Sequence, residues 1–103
     1  MVAASQPYAT LAGLDVLRDG GNAIDAAVAA AAVLHVVEPH NTGIGGDVFA
    51  LFWWERTGEL KGLNGSGRAP VGATIENLRG RGHSRMPFEH IDAITTPGAL
   101  DGW

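Results

Sequence analysis

Apolar residues recur at helical spacing along the first part of the chain. Leu11, Leu14 and Leu17 fall on one broad stripe while Asp15 and Asp19 lie off it, as in an amphipathic helix with 3.6 residues per turn. Pro7 suits the first turn of that helix, where the N–H it lacks would have no intrahelical partner, and Ser5 is placed to cap it. Gly20-Gly21 stops it. Asn22 predicts the N-cap of a second helix, with Asp25 in the first turn, where the helix dipole favours an anion, and Pro39 at the end. This second helix is apolar nearly all round. Its run Ala26, Ala27, Ala29, Ala30, Ala31 and Ala32 combines high helix propensity with little bulk, so a neighbouring layer can approach its backbone closely, and the helix is expected inside the protein.

The period then changes. After the turn Thr42-Gly43-Ile44-Gly45-Gly46-Asp47, the run Val48-Phe49-Ala50-Leu51-Phe52-Trp53-Trp54 is continuously apolar and aromatic, which predicts a strand covered on both faces. Glu55-Arg56-Thr57-Gly58 reads as a hairpin loop and Glu59 to Leu63 as the returning strand. Thr74 can cap a short helix through Leu78, Gly80 to Ser84 reads as a loop, and Ile91 to Thr95 as a short strand. Pro97-Gly98 precedes a helix start at Ala99, which the last residue, Trp103, leaves unfinished. Two helices followed by a hairpin predict an α+β fold, with helices packed on an antiparallel sheet.

Composition narrows the class. The chain has 103 residues, 46% hydrophobic and 17% charged, which suits one small globular unit and excludes a disordered chain. Its net charge of −4 is spread without acidic or basic blocks, which argues against nucleic acid and anionic membrane surfaces as partners. Arg79, Arg81 and Arg85 form a loose group that reads as a solvated loop. Cysteine is absent, so there is no disulfide framework, thiolate metal site or thiol nucleophile. No basic region followed by an apolar stretch opens the chain, and Ala23 to Val37 is shorter than the roughly 20 residues a bilayer requires. The compartment stays open.

Several motifs invite chemistry and fail on context. Gly43-Ile44-Gly45-Gly46 lies between a helix and a strand, whereas a dinucleotide-binding loop follows a strand and opens a helix. Gly65-Ser66-Gly67 is no nucleophile elbow, because Asn64 and Arg68 stand where that motif requires glycine. His35, His40, His83 and His90 show no close helical spacing, and no carboxylate is placed along the chain to complete a ligand set, so neither a metal nor a cofactor is expected. Asp25 and Glu38 flank the second helix, where capping explains them. Arg68 differs: it sits among small residues in Asn64-Gly65-Ser66-Gly67-Arg68-Ala69-Pro70. From residue type alone it reads as a surface arginine or as a bidentate clamp for a carboxylate.

Taken together, Met1-Val2-Ala3-Ala4-Ser5-Gln6-Pro7, Gly20-Gly21-Asn22-Ala23-Ile24-Asp25-Ala26-Ala27, Val37-Glu38-Pro39-His40, Gly43-Ile44-Gly45-Gly46-Asp47, Asn64-Gly65-Ser66-Gly67-Arg68-Ala69-Pro70 and Thr96-Pro97-Gly98-Ala99-Leu100-Asp101-Gly102-Trp103 resemble the N-terminal part of γ-glutamyltransferases. The likeness is thin only between Val71 and Asp92. It implies the four-layer αββα sandwich of N-terminal-nucleophile hydrolases, made as a precursor that cleaves itself into a large and a small subunit. On that reading residues 1–103 are part of one large-subunit domain, cut at both ends, and their partner is the remainder of the precursor. The nucleophile is then a threonine opening the small subunit, so Thr42, Thr95 and Thr96 are not candidates and no catalytic residue is expected here. The resemblance also implies that Arg68 binds the α-carboxylate of a γ-glutamyl substrate. The wording of Gly43 to Asp47 is similar to a bacterial branch that includes cephalosporin acylases and an oxamate amidohydrolase. Hydrolysis and acyl transfer both remain open, as does a stand-alone binding module.

Overall fold

The computed structural model describes residues 1–103. Helix α1 spans Pro7–Arg18 and α2 spans Ala23–Val37. Pro7 opens α1 as anticipated, but the N-cap is Gln6 and no side chain caps it, so Ser5 does not have that role. The helix ends in a paired-bond stop: Gly21 N–H donates to Val16 C=O at 2.9 Å and Gly20 N–H to Leu17 C=O at 3.2 Å. Gly20 takes φ 92°, the left-handed conformation that this ending requires and that a Cβ disfavours.

Helix α2 starts with a reciprocal cap. Asn22 Oδ1 accepts from the N–H groups of Ile24 at 2.7 Å and Asp25 at 3.1 Å, while Asp25 Oδ2 accepts from Asn22 N–H at 2.9 Å. Donors that the helix cannot satisfy internally are thereby paired. Glu38 ends the helix one residue before Pro39. The two helices pack against each other, and Ala9 and Gly13 of α1 and Ala26 and Ala30 of α2 are buried. Small residues set this closeness: a Cβ at Gly13 would lie 3.1 Å from the Ala26 carbonyl oxygen.

Strands β1, Val48–Trp54, and β2, Glu59–Gly65, form a two-stranded antiparallel sheet with Val48 opposite Gly65 and Trp54 opposite Glu59. The loop between them turns on Trp54 C=O, which accepts from Thr57 N–H at 3.1 Å and Gly58 N–H at 2.9 Å. Strand β2 runs beyond Leu63 to Gly65, because ladder pairing is a backbone property and tolerates its lack of side-chain alternation. Cover on both faces is not supplied within these residues: Phe49, Leu51 and Trp53 are 67%, 78% and 58% exposed. Phe52 and Trp54, on the opposite face, are half-buried.

Thr74 caps α3, Ile75–Gly80, accepting from Asn77 N–H at 3.2 Å. The expected strand from Ile91 to Thr95 is instead a 3₁₀ turn, Ile91–Ala93. Here the His90 imidazole accepts from Asp92 N–H at 3.2 Å, and the Asp92 carboxylate turns inward to His83 and Arg81. Helix α4, Ala99–Gly102, packs against β2, and Trp103 after it stacks on His35 of α2 with ring centroids 4.8 Å apart. Helices and an antiparallel hairpin thus make a mixed α/β architecture, and no helix is long and apolar enough to cross a membrane.

Candidate functional site

Three segments separated in sequence meet at the end of the hairpin that carries Gly65. The carbonyl of Gly46, before β1, accepts from the N–H groups of Gly98 and Ala99, each at 3.0 Å. Next to it, Thr95 Oγ1 donates to Asp47 Oδ1 at 3.1 Å. The backbone after β2 runs so close to the Thr96–Gly98 backbone that a Cβ at Gly67 would collide with the Thr96 carbonyl, and one at Gly98 with the Gly65 carbonyl. The two segments approach so closely because Gly67 and Gly98 have no Cβ at the points of contact. Asn64 Oδ1 accepts from Ser66 N–H at 3.0 Å and bends the intervening chain.

Arg68 leaves this junction one residue after Gly67. It is exposed, and its guanidinium forms no ion pair within the chain, whereas Arg18 pairs with Asp15 and Arg81 with Asp92. Arg56, Arg79 and Arg85 are also unpaired, so what distinguishes Arg68 is the constrained backbone behind it. A free planar fork of donors on such a backbone can receive a carboxylate through two parallel hydrogen bonds. The turn Gly43 to Gly46 closes by a Gly46 N–H to Gly43 C=O bond of 3.0 Å and leads into a strand, and the N–H groups of Gly98 and Ala99 that open α4 beside it are taken by the Gly46 carbonyl. The Thr95 hydroxyl is engaged with Asp47.

The histidines divide. His35 lies against Trp103, with its Nδ1 buried and without a hydrogen-bond partner, and His40 is exposed. His83 and His90 come together around a carboxylate that their separation in sequence conceals. His83 Nε2 is 3.1 Å and His90 Nδ1 3.3 Å from Asp92 Oδ2, and the Arg81 guanidinium holds Asp92 Oδ1. Two sequence expectations are therefore corrected: a carboxylate does complete a possible ligand set, and Arg81 is not simply a solvated loop residue. Both depend on the 3₁₀ turn, which alternating or helical spacing would not reveal.

A helix pair, an antiparallel hairpin and glycine-lined junctions at its end match a section of the N-terminal-nucleophile hydrolase fold of solved gamma-glutamyltranspeptidases. The Helicobacter pylori gamma-glutamyltranspeptidase crystal structure superimposes with a TM-score of 0.83 at 36% identity, covering 97% of this chain and 29% of that one. Residues 9–103 match the family described as gamma-glutamyltranspeptidase. The chain belongs to the gamma-glutamyltranspeptidase family. It is 46% identical to the glutathione hydrolase-like YwrD proenzyme of Bacillus subtilis, over 100% of this chain and 19% of that protein. It is also 40% identical to the oxamate amidohydrolase proenzyme of Klebsiella pneumoniae, again over 100% of this chain and 19% of the relative. The chain thus spans about a fifth of the length of these relatives.

Proposed function

We propose that this chain is the large-subunit section of a γ-glutamyltransferase or hydrolase that cleaves γ-glutamyl amides, such as glutathione, by passing the acyl group to water or an amino acid. Arg68 binds the α-carboxylate of the γ-glutamyl group. The observation that carries this reading is the exposed, unpaired guanidinium of Arg68, held on a backbone that Gly67 presses against Thr96. The scissile amide is attacked by a threonine at the start of the small subunit, with its own α-amino group as general base. Support for a processed precursor comes from the relatives, which are named as proenzymes. The part of residues 1–103 in this reaction is to hold and orient substrate, so that binding at the carboxylate fixes the amide for attack.

The similarity to an oxamate amidohydrolase proenzyme favours a second reading, hydrolysis of another amide that carries a carboxylate. Arg68 would serve there too, because the chemistry it recognises is the acid group. Assay of the complete protein on γ-glutamyl anilide, glutaryl anilide and oxamate separates the two. A clear preference for the γ-glutamyl substrate is expected, and a preference for oxamate would transfer the assignment to the second reading. Arg68→Ala should raise KM for γ-glutamyl anilide and lower kcat/KM by about 2–5 kcal/mol, the cost of removing one partner of a desolvated charge pair. Unchanged kcat/KM in that variant would defeat the role of Arg68.

A further inference from the structure

We propose that His83, His90 and Asp92 bind one divalent transition-metal ion, with Zn2+ as the fitting occupant, fastening the loop after α3 to the 3₁₀ turn at Ile91–Ala93. One ligand atom from each residue can be chosen so that all lie within 4.8 Å of one another. Zinc with nitrogen and carboxylate ligands forms bonds of about 2.0–2.2 Å, so donors in a tetrahedral shell lie roughly 3.3–3.6 Å apart. A closing movement of about 1.2–1.5 Å, within the reach of side-chain rotation, therefore completes the site. Two imidazoles and a carboxylate suit Zn2+ and leave a fourth position for water.

The arrangement of Asp92 favours a ligand between these groups. Its side chain is 9% exposed, and Arg81 takes Oδ1, which leaves Oδ2 facing both imidazoles. A carboxylate ligand is commonly oriented in this way by a hydrogen bond to its other oxygen. The metal-free contacts of His90 also conflict. Its Nδ1 is 3.2 Å from the Asp92 N–H and 3.3 Å from Asp92 Oδ2. One ring nitrogen cannot accept from the first and donate to the second, so either protonation state leaves one contact unmet. An ion between Nδ1 and Oδ2 replaces that conflict with two bonds, and the exposed Asp92 N–H can turn to water. The site is on a different segment from Arg68, so it stands or falls independently of the proposed reaction.

The test uses the complete protein, stripped with a chelator and then titrated with Co2+ as a spectroscopic stand-in. One equivalent should give saturable visible absorption of four-coordinate intensity, which Zn2+ then displaces. His83→Asn, His90→Asn and Asp92→Asn should each weaken binding at least about tenfold, while Arg68→Ala leaves it unchanged. Absence of saturable binding, or binding that survives in the His83→Asn/His90→Asn double variant, overturns the proposal. X-ray absorption of the zinc-loaded unsubstituted protein provides a check that does not depend on the variants folding. Two imidazoles in the zinc shell are expected, and fewer would overturn the assignment.

Discussion

At Gly67 any side chain would collide with the Thr96 carbonyl, and the guanidinium of Arg68 hangs from the next residue. Gly67→Ala should therefore act twice. Displacing the Thr96–Gly98 backbone should cost about 1–3 kcal/mol of stability, the usual range for overpacking, and lower the Tm of the complete protein. On the proposed function it should also raise KM for a γ-glutamyl substrate, because the proposed clamp, Arg68, is carried by the backbone that moves. A Gly67→Ala protein with unchanged Tm and KM would show that this approach neither stabilises the junction nor aims Arg68. Arg68 itself was legible from its type and its neighbours only as a choice between surface residue and clamp. Family resemblance favoured the clamp, and the structure adds the junction behind it. Asp92 was not legible at all as a partner of histidines. Neither strand nor helix periodicity brings residues 83, 90 and 92 together, and only the 3₁₀ turn does.

Among the elements, α2 depends most visibly on local chemistry. Its Asn22–Asp25 cap satisfies N–H groups that would otherwise rely on water. Asn22→Ala should destabilise the complete protein by about 1 kcal/mol, and Asn22→Ser, which keeps a side-chain acceptor, by much less. Thermal unfolding of both variants checks this, and equal losses would mean that the cap contributes little beyond the shape of its side chain. The same local rules made α1, α2, α3 and the β1–β2 hairpin readable in advance, since caps, glycine stops and runs of one hydrophobic pattern act within a few residues. They misled at Ile91 to Thr95. Extended propensity there predicts a strand, but the contacts of Asp92 with Arg81 and His83 accompany a 3₁₀ turn instead.

For the whole molecule, the surface left open is the main physical fact. No large side chain is fully buried, and Phe49, Leu51 and Trp53 line an apolar sheet face open to solvent. The radius of gyration is 17.2 Å, against about 13 Å for a compact domain of 100 residues. Residues 1–103 alone should therefore aggregate and show no cooperative unfolding transition. Light scattering and calorimetry provide the check. A monomer that unfolds in one sharp transition, with matching calorimetric and van't Hoff enthalpies, would instead favour a self-sufficient module.

By itself the sequence determined where α1, α2, α3 and the β1–β2 hairpin form, because those elements rest on caps, glycines and the hydrophobic period of neighbouring residues. It also carried the family's ordered blocks, which made the fold class readable before any coordinates. The tertiary structure alone decided which separate segments touch: Gly46 with Gly98 and Ala99, Gly67 with Thr96, and His83 with Asp92. Such contacts form when the loops between elements close in one particular way, and no local pattern along the chain encodes that closure.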